Sequence, residues 1–250
     1  MLNTWVCALS FSEWLDLLER LIRDKRSRVV HGHHNLHSMY LCSRDPKMQA
    51  FFEAADLVYI DGTPVRWLLN SVGASLSAEY RFTLMDLFEK FLEHAEIKGW
   101  RVFYVGGSSA TLQRAASRIQ EEFPALQFGC HQGYFASTGV ENDKVLQAIS
   151  DFSPDVLLVG MGMPRQEYWI ADNRPRLEAA NIVSTGATID YYAGEQHRPP
   201  PWLGPLGLSG LYRMTRDPKR LWRRYLIEPL IVAPDVVRWV LGRRIGSGRE

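Results

Sequence analysis

Cysteine is scarce. The 250-residue chain holds only Cys7, Cys42 and Cys130, far apart and odd in number. That excludes a disulfide framework and a cysteine-only metal cluster, and it fits a reducing compartment. No apolar run approaches the roughly 18 residues that a membrane-spanning helix needs. The opening MLNTWVCALSFSEW lacks a basic segment followed by an apolar stretch, so it does not read as a signal peptide. A complete GxGxxG is missing, as is the lysine of a phosphate-binding P-loop. Disorder is excluded by composition, with 46% hydrophobic and 23% charged residues.

Net charge is almost absent, at +1, but it is unevenly divided. Residues 198–250 carry 11 Lys+Arg against 4 Asp+Glu, whereas residues 1–197 carry 18 against 24. All but one of the basic residues in the tail are arginine, whose planar fork suits phosphate. Trp202, Trp222 and Trp239 are interleaved with them. Such a segment suits a membrane surface or a phosphorylated ligand, or is simply a solvated basic helix. Nucleic acid is disfavoured because the rest of the chain is acidic.

Helical and extended segments alternate along the first 197 residues. FSEWLDLLERLIRD, PKMQAFFEAAD, MDLFEKFLEHAEIKG, SSATLQRAASRIQEEF, VENDKVLQAISDF and PRQEYWIADNRPRL read as helices. RVVH, LVYID, WRVFYVGG, ALQFGCH, PDVLLVGMG and NIVSTGA read as strands. Short apolar strands separated by helices predict an α/β fold, a Rossmann-like parallel sheet with helices on both faces. HRPPPWLGPLG falls where the charge balance changes sign. The expected division is therefore a core over 1–197 and a basic helical appendage over 198–250, made of two or three short helices.

Ligands of such sheets sit beyond the carboxyl ends of the strands. That rule singles out the loops 31–35, 61–64, 106–109 and 160–166, with 186–190 after the last strand. HGHHNLH is a polar loop facing substrate or, less favoured, a zinc site; no HExxH completes a metal set. Asp61 is placed to act as a general base or to hold a sugar hydroxyl, or is a plain Asp–Gly turn. Gly106 and Gly107 in VGGSS either open a phosphate-binding turn or form a structural one. Gln166 in GMGMPRQE offers an amide suited to a uracil or sugar edge, while Glu167 fits a helix N-terminus electrostatically. Arg213, Arg220 and Arg223 share a face if one helix runs through Pro218.

Taken in order, NLHSMYLCSRDP, AADLVYIDGTPV, GWRVFYVGGSS, PDVLLVGMGMPRQEYWI and the GATIDYYAGEQHRPPPWLGPLGLSGLYRMTRDPKRLWRRYLIEP segment resemble the WecG/TagA/CpsF glycosyltransferase family, glycosyltransferase family 26. The likeness covers roughly residues 28–230. It implies an inverting enzyme that needs neither metal nor cofactor. The enzyme would move a sugar from a UDP-sugar donor to a polyprenyl-diphosphate-linked acceptor sugar, in cell-envelope or exopolysaccharide synthesis. It would sit peripherally at the cytoplasmic face of the cell membrane. By position, the resemblance makes Asp61 the catalytic base and assigns Asn35 and Arg81 to substrate. Gln166 and Asp190 fall at the donor site, and Arg213, Arg220 and Arg223 reach a diphosphate. His33 stands where the family's Thr-x-Asn has threonine, Leu84-Met85-Asp86 where it has Gly-x-Asp, and Ser209-Gly210 where it has Glu-Trp. The donor sugar, the acceptor sugar and any homo-oligomer are left open. Two rival classes remain: another nucleotide-dependent Rossmann-type enzyme, which the incomplete glycine motif opposes, and a non-catalytic peripheral membrane module, which the polar residues at strand ends oppose.

Overall fold

The computed structural model describes residues 5–25 and 28–246, with side chains to residue 241. Its centre is a sheet of six parallel strands: β1 (Val29–His34), β2 (Leu57–Ile60), β3 (Arg101–Gly106), β4 (Gln127–His131), β5 (Val156–Gly160) and β6 (Asn181–Ser184), in the order β2-β1-β6-β5-β3-β4. Every residue of β2, β5 and β6 is buried. Strands covered on both faces must be apolar throughout, which explains runs such as LLV rather than alternation.

Helices α1 (Phe11–Arg23), α2 (Leu36–Arg44), α3 (Pro46–Ala54), α4 (Thr63–Ser71), α5 (Leu84–Lys98), α6 (Ser109–Glu122), α7 (Gly139–Phe152), α8 (Arg165–Asn173) and α9 (Thr188–Tyr192) fill the connections. One face of the sheet is packed by an aromatic-rich layer that includes Trp14, Tyr59, Phe88 and Tyr192. The other is packed by Phe51, Phe52, Leu157 and Trp169. Local signals hold up well. Ser10 and Glu13 form a capping box at α1, Ser108 caps α6, and Gly99 ends α5 with a φ of 67°. Sequence periodicity did not reveal α2, α4 and the five-residue α9, which are short and weakly amphipathic or lie in segments read as turns.

One predicted loop is a strand. His31, His33 and His34 belong to β1, which runs three residues further than expected. The sheet accepts them because each imidazole is hydrogen-bonded while buried. Trp14 Nε1 donates to His31 Nδ1 at 3.2 Å, and His31 Nε2 donates to Asn181 Oδ1 at 3.0 Å. His34 Nδ1 pairs with Ser38 Oγ at 2.9 Å on the opposite face, its ring stacked on Phe52.

Beyond the proline-rich segment lie α10 (Ser209–Arg216), α11 (Pro218–Trp222), a π turn over Arg223–Ile227 and α12 (Glu228–Gly246). Two of these are short, as expected; α12 has 19 residues. Val232 of α12 joins Met39, Ile60 and Val65 in a third apolar cluster, so α12 is seated on α2. His37 and Glu228 pair across the same contact, Nδ1 to Oε2 at 2.5 Å. Asp217 ends α10 and caps α11, with Pro218 in the first position. The continuous helix that would align Arg213 with Arg220 and Arg223 is therefore broken.

Candidate active site

Asp61 follows directly on β2. Its own N–H and that of Gly62 both donate to the His34 carbonyl, at 3.0 and 3.1 Å, which holds the ends of β1 and β2 together. A Cβ on Gly62 would lie 3.0 Å from Asn35, so glycine lets the two strand ends abut. Asn35 is the N-cap of α2. Its side-chain oxygen accepts from His37 N–H and Ser38 N–H at 3.0 and 3.1 Å. That fixes the amide so that Nδ2 donates to Asp61 Oδ2 at 3.1 Å. Arg81 Nε donates to the Asp61 carbonyl at 2.8 Å.

Burial pushes the Asp61 carboxyl upward, but His33, Arg81, Asn35 and Thr83 together outweigh it and hold it below the usual carboxylate value. His33 is itself held below the ordinary imidazole range by burial, against the pull of Asp61. The charge of His33 therefore acts on Asp61 only once its ring is protonated, and Arg81 is the standing counter-charge. His33 Nδ1 donates to the Ser184 carbonyl at 3.1 Å. The imidazole therefore backs Asp61 from within the sheet rather than facing the cavity.

That cavity encloses about 210 Å³ between the carboxyl ends of the sheet and the appendage. Asn35, Asp61 and Arg81 line it from one side, and Arg213, Arg224 and Tyr225 from the other. Arg213 lies 5.2 Å over the Tyr191 ring. Burial works against its charge, and Tyr225, Tyr191 and Asp61 more than offset that. Its Nε is buried with no hydrogen-bond partner among the described residues. For Arg224, burial is the dominant influence and Arg213 adds repulsion, so its guanidinium is held below the usual arginine value. Three guanidinium groups thus line the same half-open cavity as the Asp61 carboxylate, an arrangement that calls for an anionic ligand.

The remaining residues singled out in the sequence divide. Gly107, at a φ of 68°, packs against α9: a Cβ there would lie 2.9 Å from Ile189 and 3.7 Å from Asp190. Gly106 is pressed against the Gly160 backbone, with no room for a side chain. Asp190 is pushed up by burial and drawn back by Arg220. Through Arg213, which touches Tyr191 and feels Asp61, the Asp190 loop and the Asp61 cavity adjoin. Gln166 differs from the expectation of a ligand-facing amide. It is fully buried, and its oxygen accepts from Gly162 N–H at 3.2 Å and Gly186 N–H at 3.0 Å. Its nitrogen donates to Glu167 Oε1 at 2.7 Å. The amide ties the loops after β5 and β6 together because two unpaired backbone donors need an acceptor there.

Arg220 is half exposed and paired with Asp217 at 2.5 Å. Arg223 is exposed and does not line the cavity; Arg224 does. The spacing of seven and three presumed one regular helix, and the break at Asp217 and the π turn over Arg223–Ile227 change its phase. Tyr191 and Tyr225 were not singled out either, since only tertiary packing brings them to the arginines. Glu167, read as a helix-terminus charge, is instead fully buried and is pushed up to about 7.

The chain is 29% identical over 70% of its length to a Staphylococcus aureus (strain MW2) protein named N-acetylglucosaminyldiphosphoundecaprenol N-acetyl-beta-D-mannosaminyltransferase, 68% of which is covered. A protein of the same name from Bacillus spizizenii is 29% identical over 76% of this chain and 71% of its own. Residues 1–246, from the start of the chain through α12, match one family description, and with the Asp61 cavity and the arginine-bearing appendage inside that match, the chain belongs to the Glycosyl transferase WecG/TagA/CpsF family.

Proposed function

We propose that this protein transfers a sugar from a UDP-sugar to a hydroxyl of a polyprenyl-diphosphate-linked sugar, with inversion, in cell-envelope polysaccharide synthesis. The observation that carries this reading is one carboxylate, Asp61, sharing a half-open cavity with Arg81, Arg213 and Arg224. The acceptor's diphosphate meets Arg213 and Arg224, which places its sugar hydroxyl beside Asp61. The donor lies toward the loops after β3, β5 and β6, where Asp190 and Arg220 meet. The acceptor oxygen attacks the anomeric carbon as the bond to the UDP oxygen breaks. The hydroxyl proton passes to Asp61, and the bonding electrons leave with UDP, whose growing charge Arg220 and Arg213 offset. Because Asp61 is held ionised, it is always in the accepting form; because it is a weak base, proton transfer follows C–O bond formation rather than preceding it.

The appendage, taken as residues 198–250, docks this site onto the cytoplasmic membrane surface; its residues 247–250 lie outside those described. No described helix is long and apolar enough to cross a membrane. Among the described residues, nine of the fourteen exposed large hydrophobic side chains fall between residues 202 and 241, among them Trp202, Trp222 and Leu230. Arginine beside exposed tryptophan and leucine supports attachment to an anionic lipid surface. Incubation with a panel of UDP-sugars, UDP-N-acetylmannosamine included, and a soluble N-acetylglucosaminyl-diphosphate-lipid tests the reading. A glycosylated lipid and released UDP are expected; no product from any donor, together with no thermal stabilisation by UDP, refutes it.

A further inference from the structure

We propose that the mouth of the cavity carries a binding surface for the first isoprene units of the acceptor's lipid chain, formed by Trp67 of α4 with Leu208 and Leu211 at the start of α10. The inference rests on the acceptor reading above and adds to it a specific apolar subsite on the body of the protein.

The cavity, at about 210 Å³, is smaller than the roughly 300–1,000 Å³ of a pocket that encloses a whole drug-sized ligand. A sugar diphosphate that fills it must send its lipid chain out through the opening. The chemistry of the wall changes along that path. Of the lining side chains, Asp61, Arg213 and Arg224 are deeply buried, whereas Leu211 lines the cavity and is open to solvent. Gly207 has a φ of 71°, and a Cβ there would lie 2.8 Å from the Trp67 ring, so the indole stands directly against the rim. Trp67 is 47% exposed, Leu211 43% and Leu208 38%. Single exposed apolar side chains need no explanation, but here they adjoin the mouth of a cationic cavity. The order, cationic then apolar, is that of a diphosphate esterified to an isoprenoid. Trp67 belongs to the body, not to the basic appendage, so its exposure does not follow from attachment of the tail to a lipid surface. Gly207, required to be glycine by both its φ and the indole beside it, keeps the path from cavity to ring open.

The test uses the full chain without membrane or detergent. Two soluble acceptors carry the same sugar diphosphate, one as a two-isoprene ester and one as a methyl ester. The wild-type KM is expected to be about tenfold lower for the isoprenyl acceptor, and Trp67→Ala to bring the ratio of the two KM values close to one. Trp67→Phe, which keeps a ring at the rim, should retain most of the ratio. A wild-type ratio near one, or a ratio unchanged by Trp67→Ala, overturns the proposal; the second result would mean that the indole only props Gly207. Calorimetric titration with a two-isoprene diphosphate and with methyl diphosphate reads the same preference without turnover. If transfer occurs but this preference is missing, the surface alone is refuted. If the preference is present, is lost in Trp67→Ala, and no sugar is transferred from any donor, the glycosyl-transfer reading fails while the surface stands.

Discussion

The sheet and the appendage are finished to different degrees. In the sheet, β2, β5 and β6 are wholly buried; of the imidazoles buried in β1, His31 has partners on both nitrogens and His34 on one. In the appendage, no residue of α10 is buried, and α11 contributes only Leu221. Many of its apolar side chains face outward, among them Trp202, Trp222 and Leu230. A folded chain satisfies its buried polar groups and hides its apolar ones unless something else does so for it. The sheet hides its apolar side chains on both faces, whereas the appendage leaves many of its own in contact with solvent.

The sharpest way to break this comparison is at the point where the two regions meet. Asp61→Asn keeps the size and the contact with Asn35 but removes the proton acceptor. Turnover should fall by about 10²–10⁴-fold with UDP-sugar affinity nearly unchanged, as read by steady-state rates beside calorimetric binding. Near-wild-type turnover would take the base role from Asp61. On the appendage side, Arg224→Ala should lower kcat/KM by roughly 10²-fold, whereas the neighbouring Arg223→Ala should change it less than about twofold. The reverse order would mean that the π turn presents the other arginine to substrate.

A smaller effect probes the sheet by itself. His31 and His34 titrate at about 4 and about 3 in the folded protein, below the ordinary value of 6.5, chiefly because burial disfavours their charge. As pH falls from 6.5 toward 4, the unfolded chain binds protons that the folded one refuses. Stability therefore falls, by about 1.4 kcal/mol per pH unit for each histidine. Glu167 works the other way. Burial raises it from 4.5 to about 7, so over the same window the folded state gains a proton first and is stabilised. Glu167→Gln should consequently steepen the loss of stability between pH 7 and pH 5 in urea unfolding. An unchanged slope would show that the carboxyl is not buried as described. Smallest of all, Leu230→Ser, at a side chain 70% exposed, should leave the unfolding midpoint nearly unmoved while lowering the fraction bound to anionic vesicles a fewfold. A lowered midpoint with vesicle binding intact would make that surface a packing contact instead.

Much of the site was legible because the rule of strand carboxyl ends depends only on where strands stop. Asp61 and Asp190 follow from it, and so do Gly106 and Gly107, although those two glycines are also accounted for by the close approach of backbone at Gly160 and side chain at Ile189. The rule locates a loop, however, and does not say which way a side chain turns. Gln166 lies in the right loop yet spends its amide on Gly162 and Gly186. His33 lies at the right strand end yet points into the sheet toward Ser184. The arginine stripe failed for a related reason. Helix phase is cumulative, so one break at Asp217 and one wide turn are enough to exchange Arg223 for Arg224.

The sequence by itself determined the α/β alternation, the parallel sheet, the change of charge near residue 198 and the resemblance carried by its ordered motifs. Each is written in short-range pattern: periodicity, capping residues, glycine at strand ends. The tertiary structure alone decided that Asn35 steadies Asp61, that Arg213 and Arg224 rather than Arg223 close the cavity, and that Trp67 stands at its mouth. Those facts join residues far apart in the chain, such as Asn35 and Arg224, and their physical basis is burial. Only when β2 and α12 are packed on α2 does a carboxylate lose its water and acquire guanidinium groups in its place.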